Sequence, residues 1–225
     1  MMDWLLFGTV LVLAAGTSVL AWFVWSWVPA RSRLTQQGIL NSISRSIEVR
    51  TGQFGETRSI VHFCLEVAGM LDLPSATRRS IERAAHVAQI GLVGVPYRTL
   101  RSSSKHEWTD EQNEAFEGHP TVGCTMLSFI PEFSDLVPIV SCQRARFDGV
   151  GSRFLPAGND IPIESRILFA VQTYVSARRQ YGESEARRVL RQGSGSVFCP
   201  MVVDALLRVL KLTGVERAAE PAGVV

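Results

Sequence analysis

The sequence predicts an all-α protein, a helical bundle preceded by a single N-terminal transmembrane helix. Three observations carry that expectation. The chain opens on a long uncharged run, and apolar residues further on recur at spacings of three and four. No segment alternates apolar and polar residues as a half-buried strand does.

The run Trp4 to Val28 (WLLFGTVLVLAAGTSVLAWFVWSWV) is 25 residues long and carries no charge. A helix needs roughly 20 apolar residues to cross the hydrocarbon core of a bilayer. In lipid the backbone must satisfy its own hydrogen bonds, so the run is expected to be helical. A cleaved signal peptide would want a positive start and an apolar stretch of about 7–15 residues. Here the start is Met1-Met2-Asp3, and the stretch is longer. Trp22, Trp25 and Trp27 gather at its far end, as aromatic residues do at a membrane interface. Arg31, Arg33, Arg45 and Arg50 follow, so the amino terminus is expected outside and the bulk of the chain in the cytoplasm.

The chain as a whole has a formal net charge of +2, which does not argue for nucleic acid. Its four cysteines, Cys64, Cys124, Cys142 and Cys199, form no C-x-x-C pair and read as small buried hydrophobes in a reducing compartment.

Pro29-Ala30 is expected to end the membrane helix. A linker over 29–54 follows, part of which could continue as a helical stalk through Leu40, Ile43 and Ile47. From residue 55 the pattern is helical: Ile60, Cys64, Val67 and Leu71 share one face. Leu73-Pro74-Ser75 breaks that helix, and Ser75 caps a second one running to about Gln89. After a Gly-rich turn, Thr109 and Gln112 form a capping box for the next helix. Further helices are expected from His119 to about Ile130, Glu132 to Gln143, Glu164 to Tyr181 and Met201 to Leu212. Phe147 to Pro162 is a long loop, and 213–225 is read as a disordered tail.

Six segments of the part after residue 55 stand in the order found in a known family. They are 84–96 (AAHVAQIGLVGVP), 108–112 (WTDEQ), 119–123 (HPTVG), 146–151 (RFDGVG), 161–167 (IPIESRI) and 195–200 (GSVFCP). They resemble the turn AALLHDIGKIGIP, then LTxEE, HPxxG, RxDGxG, IPxxARI and GTxFDP of the HD-GYP family. The resemblance covers about 55–212. It implies an HD-domain-like helical bundle and relatives that hydrolyse cyclic di-GMP with divalent metals.

The resemblance also implies where the metal ligands would stand, and there this chain departs from the pattern. The paired His-Asp falls on Ala88 and Gln89, and the Lys after it on Leu92. The first-helix His falls on Glu56 and the Arg three residues later on Ser59. His-His-Glu falls on Gln143, Arg144 and Ala145, and the later Asp pair on Gln172 and Val175. Tyr-Pro of the name-giving loop falls on Ser152 and Arg153. Metal chemistry of this kind needs several imidazoles and carboxylates within about 2.0–2.3 Å of each ion. The chain has four histidines, His62, His86, His106 and His119, with no His-Asp or His-His dipeptide among them. His119 is the one relic candidate ligand. No catalytic residue, metal site or cofactor is therefore expected.

Arg144, Arg146 and Arg153, with Asp148 between them, are the candidate ligand-binding residues, because arginine grips phosphates and guanine edges at two points. The alternative is a basic loop paired with itself, in which Asp148 meets Arg146 or Arg166. The functional expectation is a catalytically inactive, membrane-tethered signalling or scaffold protein of the bacterial inner membrane, acting on protein partners. A receptor that binds cyclic di-GMP or another nucleotide without hydrolysis is the alternative, and a residual metal-dependent phosphodiesterase the third. Ala14 with Ser18 and Thr17 with Ala21, four apart in the anchor, leave a homo-oligomer open.

Overall fold

The computed structural model describes residues 2–101, 108–151 and 154–219. It divides into two units, Met1–Ser42 and Ile43–Val225. Helix α1, Met2–Thr51, begins in the first and ends in the second. The stretch Phe7–Trp25 within it is long and apolar enough to cross a membrane, and all of it is exposed. No other helix among the described residues has that length and composition.

The helix does not stop at Pro29-Ala30, as the sequence suggested, but runs to Thr51. A proline inside a helix removes one hydrogen bond and crowds the preceding turn without requiring an end. The break comes at Gly52, whose φ of +73° an L side chain rarely adopts.

The second unit is all-α among its described residues, apart from one isolated bridge between Ser194 and Phe198. Helices α2 (Glu56–Met70) and α3 (Ser75–Val87) pack together. Ile60, Cys64 and Val67 of α2 are buried, while Leu71 of the expected stripe is only half-buried at the helix end. Pro74, not Ser75, occupies the cap position of α3, and no side chain caps it.

A 3-10 turn over Ile90–Gly94 leads to α4 (Tyr97–Leu100), then α5 (Asp110–Glu117) and α6 (His119–Ser128). The capping box read from the sequence is present. Gln112 N–H donates to Thr109 Oγ1 at 3.3 Å and Thr109 N–H to Gln112 Oε1 at 2.9 Å.

Instead of one helix over 132–143 there is a 3-10 turn, Pro131–Leu136, and a short α7, Val137–Ser141. Pro138 explains the division. It has no N–H to donate to the preceding turn, so it sits in the first turn of a new helix, where that donor is not needed.

Helix α8 (Ile163–Tyr181) is the central strut, packed against α2, α3, α7, α9 (Glu183–Gly193) and α10 (Pro200–Ala219). Its Ile167, Leu168, Val171 and Tyr174 are buried, and Phe63 meets Tyr174 edge-on at 5.4 Å. Each such aliphatic side chain contributes about 1.5–3 kcal/mol on burial, so α8 organises the core. Helix α10 continues past Leu212 to Ala219, into the stretch expected to be a tail. Gly214 costs about 1 kcal/mol against Ala inside a helix but does not end one. Residues 220–225 of that expected tail lie outside the described residues.

Candidate functional site

Gly91 fixes how the site is assembled. The turn Ile90–Gly94 lies so close to the start of α6 that a Cβ on Gly91 would stand 1.8 Å from the His119 carbonyl oxygen. This close approach sets His119 beside the end of α3. The two segments, with α2 and α8, surround a cavity of about 630 Å³.

One wall is the end of α1 and the link to α2, through Thr51, Gly52, Gln53 and Glu56. Gln89 and Leu92 form the next wall, and Gln172 and Arg179 of α8 the one after. Trp108, Phe116, Phe169, His119 and Arg144 complete it on an aromatic side.

The positions that the sequence aligned with metal ligands therefore do converge. Glu56, Gln89, His119, Arg144 and Gln172 all line this one cavity. Ala88 and Gln143 are buried completely, and Ala145 packs with Cys142 and Ile161 in a small apolar cluster.

What converges is a network of amides and ion pairs. Gln143 Nε2 donates to the Ala88 carbonyl at 2.8 Å, and its Oε1 accepts from Gln172 Nε2 at 3.4 Å. Arg144 grips Glu117 at two points, Nε and Nη2 each 2.7 Å from a carboxylate oxygen. The same guanidinium lies over the rings of Phe116 and Phe169, at 5.3 and 5.6 Å.

Glu56 accepts from Arg179 Nη1 at 3.2 Å. Burial nevertheless holds its carboxyl above the ordinary carboxylate value, against the lowering pull of Arg179 and Gln89.

His119 is buried, and its Nδ1 lies 2.5 Å from the Phe116 carbonyl. A carbonyl only accepts, so Nδ1 carries the proton and Nε2 is the acceptor nitrogen of the neutral ring. That is the tautomer a metal-binding histidine uses, but the rest of the donor set does not match. Among the described residues, His119 and Glu56 are the imidazole and carboxylate lining the cavity. Among the described residues no group of three His, Cys, Asp or Glu side chains could hold a metal ion. A neutral amide is a poor substitute for a bridging carboxylate, and a guanidinium has no lone pair to give and repels a cation. The described residues do not fit a metal cluster.

Of the three described candidate ligand-binding residues, Arg144 stands apart from Arg146 and Asp148. Arg144 lines the cavity. Arg146 and Asp148 pair with each other on the loop, at 2.9 and 2.6 Å, and Asp148 also accepts from Val150 N–H. The pairing lowers the Asp148 carboxyl from its usual range. Neither residue lines the cavity, and Arg153 lies outside the described residues.

Sequence reasoning missed Glu117, Arg179 and Phe169. Glu56 and Arg179 stand 123 positions apart, and Arg144 and Glu117 27 apart, so no local spacing ties either pair.

The family model of the HD domain matches residues 41–198. The chain belongs to the HD domain family. The matched region of this HD domain begins inside α1. Over 142 residues the chain is 31% identical to a probable cyclic di-GMP phosphodiesterase of Vibrio cholerae, covering 56% of this chain and 31% of that protein. Over 184 residues it is 28% identical to a cyclic di-GMP phosphodiesterase of Thermotoga maritima, covering 77% and 48%. The chain thus spans less than half the length of either relative. A cyclic GMP-AMP specific phosphodiesterase of Vibrio cholerae shares the fold, with a TM-score of 0.64 at 13% identity, over 82% of this chain and 50% of that one. The HD domain described here is HD-GYP-like, and its relatives are cyclic di-GMP phosphodiesterases.

Proposed function

We propose that this HD domain is catalytically silent and works through protein–protein contacts, tethered to the inner membrane of a bacterium with its amino terminus outside. One observation carries the proposal. Of the family's ligand positions, Glu56, Gln89, His119, Arg144 and Gln172 line one cavity, while Ala88 and Gln143 are buried, and only Glu56 and His119 among them carry a carboxylate or an imidazole. Metal-assisted hydrolysis needs bound ions to make hydroxide from water and to clamp the phosphate, and this donor set supports neither step. The exposed apolar stretch Phe7–Trp25 supports the tether, and the arginines after it support the orientation. Tethering raises the effective concentration of neighbouring membrane proteins without any new contact.

The experiment is a hydrolysis assay on the full chain in detergent micelles, with cyclic di-GMP and added Mn²⁺ or Fe²⁺. The expected result is no turnover above buffer. Turnover that disappears with Gln89→Ala or His119→Ala would establish the residual phosphodiesterase instead.

A second reading, a nucleotide receptor, is favoured by the cavity itself, whose volume lies in the range of small-molecule sites and whose walls include Trp108, Arg101 and Arg144. Calorimetry with cyclic di-GMP separates the two. Tight binding abolished by Arg144→Ala favours the receptor, and the absence of binding leaves the scaffold.

A further inference from the structure

The end of α1 is fastened to the rim of the cavity by contacts that the family's chemistry does not require. Arg50 reaches across to the 3-10 turn and donates to the carbonyls of Leu92 at 3.3 Å and Val93 at 3.0 Å, and to that of Val95, just after the turn, at 2.7 Å. Carbonyls at the end of a short helical turn lack intrahelical donors, and a guanidinium offers five N–H groups in a fixed fork. One helical turn and a half earlier, the Ser44 hydroxyl sits 2.9 Å from His86 Nδ1 and 3.2 Å from the His86 carbonyl oxygen. Glu48, buried, accepts from Thr57 N–H at the start of α2 at 3.3 Å.

Three anchors thus tie nine residues of α1 to α3, to the turn and to α2. The residues that follow them directly, Thr51 and Gly52, are cavity wall, as is Leu92, whose carbonyl Arg50 holds. Gly52 receives Arg179 on its carbonyl at 3.4 Å from across the cavity.

We propose that Ile43–Thr51 is a strap that opens and closes the cavity, with Arg50 as its clasp. Displacing the segment pulls Thr51 and Gly52 away from Gln89 and Leu92 and opens that wall. Holding it shut keeps the wall sealed. The segment is one helix with the apolar stretch that precedes it, so a change at the membrane has a covalent route to the cavity. The same strap serves whether the cavity takes a nucleotide or only presents a surface.

The test uses the full chain in micelles. Trp4→Phe, Trp22→Phe, Trp25→Phe and Trp27→Phe leave Trp108, in the cavity wall, as the only one of five tryptophans. Acrylamide quenching of Trp108 is then compared with and without Arg50→Ala, at a temperature where circular dichroism shows both folded. The strap predicts that Arg50→Ala raises the quenching constant at least two-fold, whereas Arg188→Ala, whose partner is Glu185 on α9, leaves it unchanged. An unchanged constant in a folded Arg50→Ala protein overturns the proposal.

Should Arg50→Ala not fold, hydrogen exchange on the unaltered chain decides. The amides of Gly52, Gln53 and Thr57, bonded to Glu48, are predicted to open together with those of Leu92 in the turn and Val95 just after it, at one rate and faster than the α8 core. Rates that differ between the two groups by more than ten-fold contradict a single opening unit.

Discussion

Arg144 and Glu117 form a two-point ion pair with both nitrogen–oxygen distances at 2.7 Å, at a position where HD-GYP relatives place a metal-binding histidine. The guanidinium lines the cavity and lies over the rings of both Phe116 and Phe169. Glu117 is 59% exposed, so the charge pair by itself contributes at most about 1 kcal/mol. Most of the value of Arg144 lies in its packing on the two rings. Arg144→Ala is therefore expected to cost about 1–2 kcal/mol, and Glu117→Ala less than half of that. Urea denaturation of the full chain in micelles measures both. Equal losses would mean that charge, not stacking, holds the arginine.

Gln143 makes a sharper prediction, because it is completely buried and both ends of its amide are used. Gln143→Ala leaves the Ala88 carbonyl without its donor and opens a void. The expected loss is about 2–5 kcal/mol. Restoring the family's histidine with Gln143→His returns volume but not the amide geometry, so it should remain destabilising in the same melt.

The fold was largely legible in the sequence, and the reasons are local. Ile60, Cys64 and Val67 recur at helical spacing because α2 buries one face, and Thr109 with Gln112 announces α5 through a contact only three residues long. Boundaries failed where one residue carries two meanings. Pro29 reads as a terminator but sits inside α1, and Pro138 reads as tolerable but divides the expected helix over 132–143. At the site, the family motifs located the positions, and the structure brought them together. The partners of these side chains were not legible, since the pairing of Glu56 with Arg179, or of Arg144 with Glu117, follows from the tertiary fold and leaves no periodic trace.

Gly91 tests how tightly the turn and α6 are held together. Gly91→Ala would place a methyl 1.8 Å from the His119 carbonyl oxygen and 2.7 Å from the Gly123 nitrogen, both backbone atoms that cannot swing aside. The expected loss is at least about 3 kcal/mol. Gly94→Ala meets only Val122 methyls at 3.4 Å and should cost under about 1 kcal/mol. Thermal denaturation of the two variants side by side checks the contrast.

The buried carboxyl of Glu56 gives a pH signature. Its folded-state value lies above the ordinary 4.5, mainly because burial disfavours the charge. In the window from 4.5 up to that raised value the native state holds more protons than the unfolded one. Its contribution to stability is therefore full below the window and declines as pH rises through it. His86 acts in the opposite direction, since burial lowers its value and its contribution is lost as pH falls below the usual 6.5. The difference between the wild-type chain and Glu56→Gln removes the histidine from the comparison. Wild-type stability minus that of Glu56→Gln, measured by urea melts across pH 4–8, is expected to fall as pH rises. A flat or rising difference would show that Arg179 outweighs burial.

The proposed catalytic silence rests on the donor set around His119 and Glu56. It is tested most directly by elemental analysis of the full chain, purified from cells grown with iron and manganese and never exposed to chelator. The account predicts less than about one-tenth of a transition-metal ion per chain, unchanged by His119→Ala, because one imidazole and one carboxylate do not hold a dinuclear centre. One or more equivalents of iron or manganese, lost together with His119→Ala, would contradict it.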